Sequence, residues 1–128
     1  MLSLNFNIDA IPERKLMVAK VYGIWKKETA EAYHDEYMKI VQPFLDDKWA
    51  KLTYLTNWKS SYPEIIEIIG EHMRWCQENG AVFSVYVIEN PVTQSQLKRM
   101  ITSGDASSIT KIFRTHEEAD RFLKENGF

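Results

Sequence analysis

Chemistry in this 128-residue chain would rest on three histidines, one cysteine and a few serines and basic side chains. His34, His72 and His116 stand too far apart for a local metal spacing such as His-x-x-x-His. Acidic and polar neighbours mark each as a solvated side chain. Cys76 falls on an apolar helical stripe with no histidine beside it, which predicts a core thiol rather than a nucleophile. Gly23, Gly70, Gly80, Gly104 and Gly127 are scattered, so neither a Gly-rich phosphate loop nor a nucleophile elbow can be built. Glu28, Glu31, Asp35 and Glu36 read as a solvated acidic face. No nucleophile–base pair is visible. The expectation is a protein that is not an enzyme and takes no cofactor or metal.

Binding chemistry has a better candidate in Asn57-Trp58-Lys59-Ser60-Ser61-Tyr62-Pro63. If this segment follows a parallel strand, it lies at the carboxyl edge of a sheet, where open α/β folds bind ligands. The same edge would gather Glu89 and Asn90 after the next strand, and Arg114 and Thr115 after the one beyond. Helix starts at Ser61 and Thr115 would present free N–H groups and partial positive charge. With Lys59 and Arg114 nearby, that rim would suit a small anion. Ser61 is explained as a helix cap, whereas Ser60 has no structural duty and is the freer acceptor for modification. Trp58 is either a contact residue or a lid over the sheet edge.

Composition narrows the classes further. A net charge of −2 supplies no bulk field for nucleic acid or an anionic membrane. One cysteine excludes an internal disulfide and fits a reducing compartment. No signal-peptide pattern opens the sequence, and no apolar run approaches the roughly 20 residues of a membrane span. These features predict a soluble, cytoplasmic, single domain covering residues 1–128. Four Trp, six Tyr and six Phe are many for a small core. Some tryptophans should therefore be partly exposed, which predicts a homodimer or a protein partner covering them.

The elements that must position these residues follow from hydrophobic period. Leu2, Leu4, Phe6 and Ile8 alternate with polar residues, a half-buried strand, and Leu16 to Trp25 is a second. Their short connection predicts an antiparallel hairpin. Ala30, Tyr33, Tyr37, Ile40, Val41 and Phe44 form a helical face, started near Thr29 and ended near Pro43. Trp49 to Asn57 is a third strand. Ser61-Tyr62-Pro63-Glu64 is a capping box opening a helix with Ile65, Ile66, Ile69, Met73 and Cys76 on one stripe. Ala81 to Ile88 is apolar save Ser84, the mark of an interior strand. Thr93-x-x-Gln96 opens a third helix. Ile109 to Phe113 is a fifth strand, and Thr115-x-x-Glu118 opens the last helix. The order ββαβαβαβα predicts an α/β fold: one five-stranded mixed sheet with four helices.

This layout resembles STAS and SpoIIAA-like domains over nearly the whole length. The closing Phe113-Arg114-Thr115-His116-Glu117-Glu118-Ala119-Asp120-Arg121-Phe122-Leu123 is similar to the end of SpoIIAA-like proteins. The resemblance implies a non-enzymatic regulatory or interaction module with a protein partner, switched by phosphorylation of a serine after the third strand. Ser60 and Ser61 occupy that junction, although Lys59 and Tyr62 stand where the family's Asp-Ser-Ser-Gly motif has Asp and Gly. A fold likeness to lipid-binding CRAL-TRIO domains implies the alternative, a small anionic or lipid-like ligand at the rim formed by Asn57, Trp58, Lys59, Asn90 and Arg114.

Overall fold

The structure is a computed structural model that describes residues 5–60 and 63–128. Its elements in chain order are β1 (Phe6–Ile11), β2 (Leu16–Trp25), α1 (Lys27–Ile40), β3 (Trp49–Ser60), α2 (Pro63–Glu78), β4 (Ala81–Val87), α3 (Pro91–Ser103), β5 (Thr110–Phe113) and α4 (His116–Glu125). β1 and β2 are antiparallel; β2, β3, β4 and β5 run parallel. The strands are laid down in chain order across the sheet, so β4 is interior between β3 and β5. Its apolar composition matches that place. Among the described residues no helix is long and apolar enough to cross a membrane.

Strand order decides where the helices go. Each crossover steps the same way along the sheet, and crossovers of one hand then fall on one face. α1, α2 and α3 accordingly share a face and bury one core with Met17, Ala19, Val21, Trp25, Trp49 and Trp58. α4 covers the opposite face, where Ala119 and Leu123 meet Leu16, Ala50, Leu52 and Val85. β3 is thus covered on both sides, and its residues alternate between two cores.

Two close approaches set the spacing of the large helical layer. A Cβ on Gly104 would lie 2.3 Å from the Gly70 carbonyl oxygen, so α2 and α3 touch there backbone to backbone. Gly80 turns the chain out of α2 at φ +108, and a Cβ there would fall 2.5 Å from the Asp47 carbonyl oxygen.

Several local expectations need correction. The residue flanking the start of α1 is Lys26, and Thr29 sits in the first turn, its Oγ1 accepting from the Lys26 N–H. α3 is capped by Asn90, whose side chain accepts from the Val92 N–H at 2.8 Å, with Pro91 in the first turn. Thr93 is therefore not a cap; it is buried and donates to the Trp58 carbonyl at 3.3 Å. A proline suits the first helical position because its missing N–H would be unpaired anyway. The Thr115 box holds: Oγ1 accepts from the Glu118 N–H and donates to the Glu118 carboxylate. β5 starts at Thr110, one residue later than its apolar pattern predicts. β3 runs on to Ser60, past the expected end at Asn57.

That extension includes a bulge. Tyr22 pairs with Thr56 but Gly23 pairs with Trp58, so Asn57 is the extra residue. A bulge shifts the side-chain alternation by one. Trp58 is thereby turned into the α1–α3 core, where it is 3% exposed.

Candidate functional site

The predicted rim is only partly assembled. Asn90 and Arg114 line a surface depression of about 330 Å³ at the carboxyl ends of β3 and β4, together with Tyr54, Thr56 and Glu89. Asn90 is occupied as a helix cap. Lys59 and Arg114 are exposed. Trp58 has left the rim for the core. Ser61 and the side chains of Asn57 and Ser60 lie outside the described residues. The strand order also lacks a reversal among the parallel strands, so α1, α2 and α3 do not diverge to open a crevice at this edge.

The denser chemistry lies below the helices. On β3, alternation sends Ala50 and Leu52 toward α4 and sends Lys51 and Thr53 toward α1–α3. Lys51 is 2% exposed and Thr53 is also buried. α2 brings His72 and Cys76, one turn apart, onto the same spot. This corrects the expectation for His72, which is 1% exposed rather than solvated. Its neighbours Glu71 and Arg74 are exposed, but Ile69, Met73 and Cys76, at helical spacing, are buried with it. Cys76 is the core thiol its stripe predicts, but the expectation of no histidine beside it fails, because His72, one turn earlier on the same stripe, comes within 3.6 Å of its sulfur.

The contacts form a chain. Lys51 Nζ is 3.2 Å from His72 Nε2, and Cys76 Sγ is 3.6 Å from the same nitrogen. On the other side of the ring, His72 Nδ1 is 2.8 Å from His34 Nδ1. His34 is half-buried on α1 and packs edge-on to Trp75. Aromatic rings fix His72 in place: those of Tyr33 and Tyr37 lie edge-on at 5.1 and 4.7 Å. Lys51 Nζ also stands 5.2 Å from the centre of the Tyr37 ring, a cation–π position.

Burial dominates the acid–base behaviour of this cluster. It holds His72 well below the ordinary histidine range, helped by Lys51 and His34. It also lowers His34, where Asp35 opposes it. It raises the Cys76 thiol, the Tyr33 phenol and the Tyr37 phenol. For Lys51, burial is the largest influence and favours the neutral amine; ionised Cys76 and Tyr86 favour the ammonium and turn the net direction upward. A thiol is uncharged at pH 7 by its ordinary value, and burial raises Cys76 further. Cys76 therefore supplies no negative charge at neutral pH, and desolvation acts on Lys51 without that opposition there.

Lys51, Thr53, His72, Trp58, Tyr33 and Tyr86 line one cavity of about 30 Å³, walled otherwise by apolar side chains such as Ile69, Met73 and Met100. That is room for about two waters. The Trp58 Nε1–H has no hydrogen-bond partner among the described residues. No Asp or Glu among the described residues pairs with Lys51. The wall is mostly apolar, and the few polar groups that reach it include Lys51 and His72, with no carboxylate among the described residues. Among the described residues no group of His, Cys, Asp and Glu is arranged to hold a metal ion.

The tryptophans do not leave the surface expected of them. Trp25, Trp49 and Trp58 are buried, and only Trp75 keeps partial exposure while packing on the core. The Trp25 indole donates to the Asn5 and Tyr22 carbonyls, and that of Trp49 to the Asn79 carbonyl. An exposed tryptophan surface is thus no support for a homodimer. No protein-family model matches this chain, and no curated protein matches it in sequence.

Proposed function

We propose that this chain is a non-enzymatic binding module for a small ligand, and that the ligand's seat is the Lys51 cavity. One observation carries this reading: a buried lysine with no carboxylate among the described residues lines the same cavity as Trp58, whose indole N–H has no partner among them either. Burying an ionised amine without a counter-charge costs several kcal/mol. A core that merely needed filling would use Met or Leu there. An occupant with an anionic or accepting end removes that penalty and satisfies Trp58 as well. The raised thiol pKa of Cys76 supports binding over covalent catalysis, since the thiolate is the nucleophile.

A second reading keeps the regulatory role of SpoIIAA-like domains, with a protein partner docking at the end of β3. The exposure of Lys59 and Arg114 supports it.

Native mass spectrometry of protein purified from cells separates the two. The binding reading expects a non-covalent small-molecule adduct on the wild type that is missing from Lys51→Met. A phosphate adduct on Ser60 or Ser61 selects the regulatory reading. A bare chain mass in both proteins defeats the binding reading.

A further inference from the structure

We propose that the Lys51 cavity takes a small carboxylate together with one proton, and that His34 and His72 conduct that proton from the surface to Lys51. The inference rests on the binding reading above and adds the ligand class and its coupling.

Size limits the ligand. A cavity of about 30 Å³, with room for about two waters, admits formate at most, and acetate only if Met73 and Met100 move aside. Chemistry limits it further. The hydrogen-bonding side chains that line the cavity are Lys51, Thr53 and Trp58 from β3, Tyr33 from α1, His72 from α2, Tyr86 from β4 and Trp25, whose indole is bonded elsewhere; Tyr37 and Cys76 stand behind Lys51 and His72. None carries a carboxylate, and each presents an N–H, O–H or S–H. Such a set is complementary to an acceptor.

Charge balance then requires a proton. An empty cavity is least costly with a neutral amine, because no carboxylate among the described residues faces Lys51. An anion entering beside a neutral amine would itself be a buried, unpaired charge. Entry of anion and proton together leaves an ammonium–carboxylate pair with no net charge.

The route is a row of ring nitrogens. In the empty state, His34 Nδ1–H donates to His72 Nδ1 at 2.8 Å, and His72 Nε2–H donates to the Lys51 amine at 3.2 Å. A proton from solvent binds Nε2 of the half-buried His34. The Nδ1 proton of His34 moves to His72 Nδ1, and the Nε2 proton of His72 moves to Lys51 Nζ. One proton has entered at His34 and one has been delivered to Lys51. Every donor in the row is then reversed: Lys51 donates to His72 Nε2, and His72 Nδ1–H donates to His34 Nδ1. Both histidines remain neutral at the end.

The probes are sodium formate and sodium acetate, titrated into the full chain at pH 7 in phosphate and in Tris. The two buffers differ widely in ionisation enthalpy, so the difference in observed heat counts protons. The expected result is about one proton taken up per anion bound, with heat and uptake both lost in Lys51→Met. In stopped-flow with a pH indicator, His34→Gln should slow proton uptake at least tenfold and leave the equilibrium affinity within about threefold. A merely structural His34 would not produce that split. Denaturant unfolding checks that both variants fold. Failure of both anions to bind the folded wild type overturns this inference, and the binding reading falls with it only if the native mass of the wild type is also bare. Binding without proton uptake, or uptake at an unchanged rate in His34→Gln, overturns this inference alone.

Discussion

Lys51 Nζ and His72 Nε2 lie 3.2 Å apart beneath three helices, with the two residues 2% and 1% exposed. Two basic side chains have been buried together, and no acid among the described residues accompanies them. Their proximity gives the α1–α3 core its polar centre and leads to the first of the expectations below.

Replacing Lys51 by Met should not weaken the fold. Met follows the same path through the core and removes the desolvated amine, and Cys76 remains as a donor to His72. Even buried ion pairs exchanged for apolar side chains of similar size are commonly neutral or stabilising by about 1–4 kcal/mol, and a lone buried amine has less holding it. Urea unfolding should place Lys51→Met level with the wild type or up to about 2 kcal/mol above it. A loss beyond about 1 kcal/mol would show that the amine holds the core together, because ordinary hydrogen bonds contribute about that much.

Stability should fall as pH drops below about 6.5, the ordinary histidine value. Burial lowers the folded-state pKa of both His72 and His34, so the unfolded chain binds more protons in this range. Their contribution is complete above the unfolded pKa and is lost as the pH falls toward the folded values. The slope is at most about 1.4 kcal/mol per pH unit for the fully buried His72 and smaller for the half-exposed His34. His72→Gln should remove most of the slope between about pH 6.5 and 5. Unfolding curves at several pH values test this; an unaltered slope in the variant would assign the acid lability elsewhere.

Ordered water should occupy the cavity whenever no ligand does. A high-resolution crystal structure is expected to show one or two waters there, with one accepting from Trp58 Nε1. An empty cavity at that resolution would leave the indole N–H unpaired and argue that the space is dry.

Gly104→Ala should be among the most damaging single substitutions. Its Cβ would sit 2.3 Å from the Gly70 carbonyl oxygen, and only separation of α2 from α3 relieves it. A loss of at least about 3 kcal/mol is expected, at the upper end of overpacking costs. Gly127→Ala is the control: its φ of +91 strains alanine, but nothing lies within 4 Å of the new Cβ. That should cost about 1–2 kcal/mol. Equal losses at the two positions would place the α2–α3 contact elsewhere.

Asn90→Ala should cost about 1 kcal/mol through loss of the α3 cap, and Thr115→Ala about the same at α4. Neither should change binding of formate or acetate, because both lie outside the Lys51 cavity. A binding defect in Asn90→Ala with normal stability would return the ligand site to the carboxyl edge.

Element type and order were written in local pattern. Period two marked the strands, period 3.6 marked the helices, and the unbroken Ala81–Ile88 run marked an interior strand. Such signals are local because each strand or helix must bury one face wherever it packs. The Thr115 box and the Gly80 exit are likewise readable, since caps involve residues three or four apart. The candidate site was legible only in fragments. His72 shares helical spacing with Ile69 and Cys76, and Lys51 stands at period two with Trp49 and Thr53, so burial of both could have been read from period alone. That Lys51 meets His72, and His72 meets His34, depends on β3, α2 and α1 coming together across 21 and 38 residues of separation. The direction of Trp58 depends on a single extra residue, Asn57, that becomes visible only against the register of β2. The sequence by itself determined which segments must be strands and helices and which faces they bury. The tertiary structure alone decided which buried polar groups share a cavity, because contacts between distant segments are set by packing and register and leave no mark on either segment's own pattern.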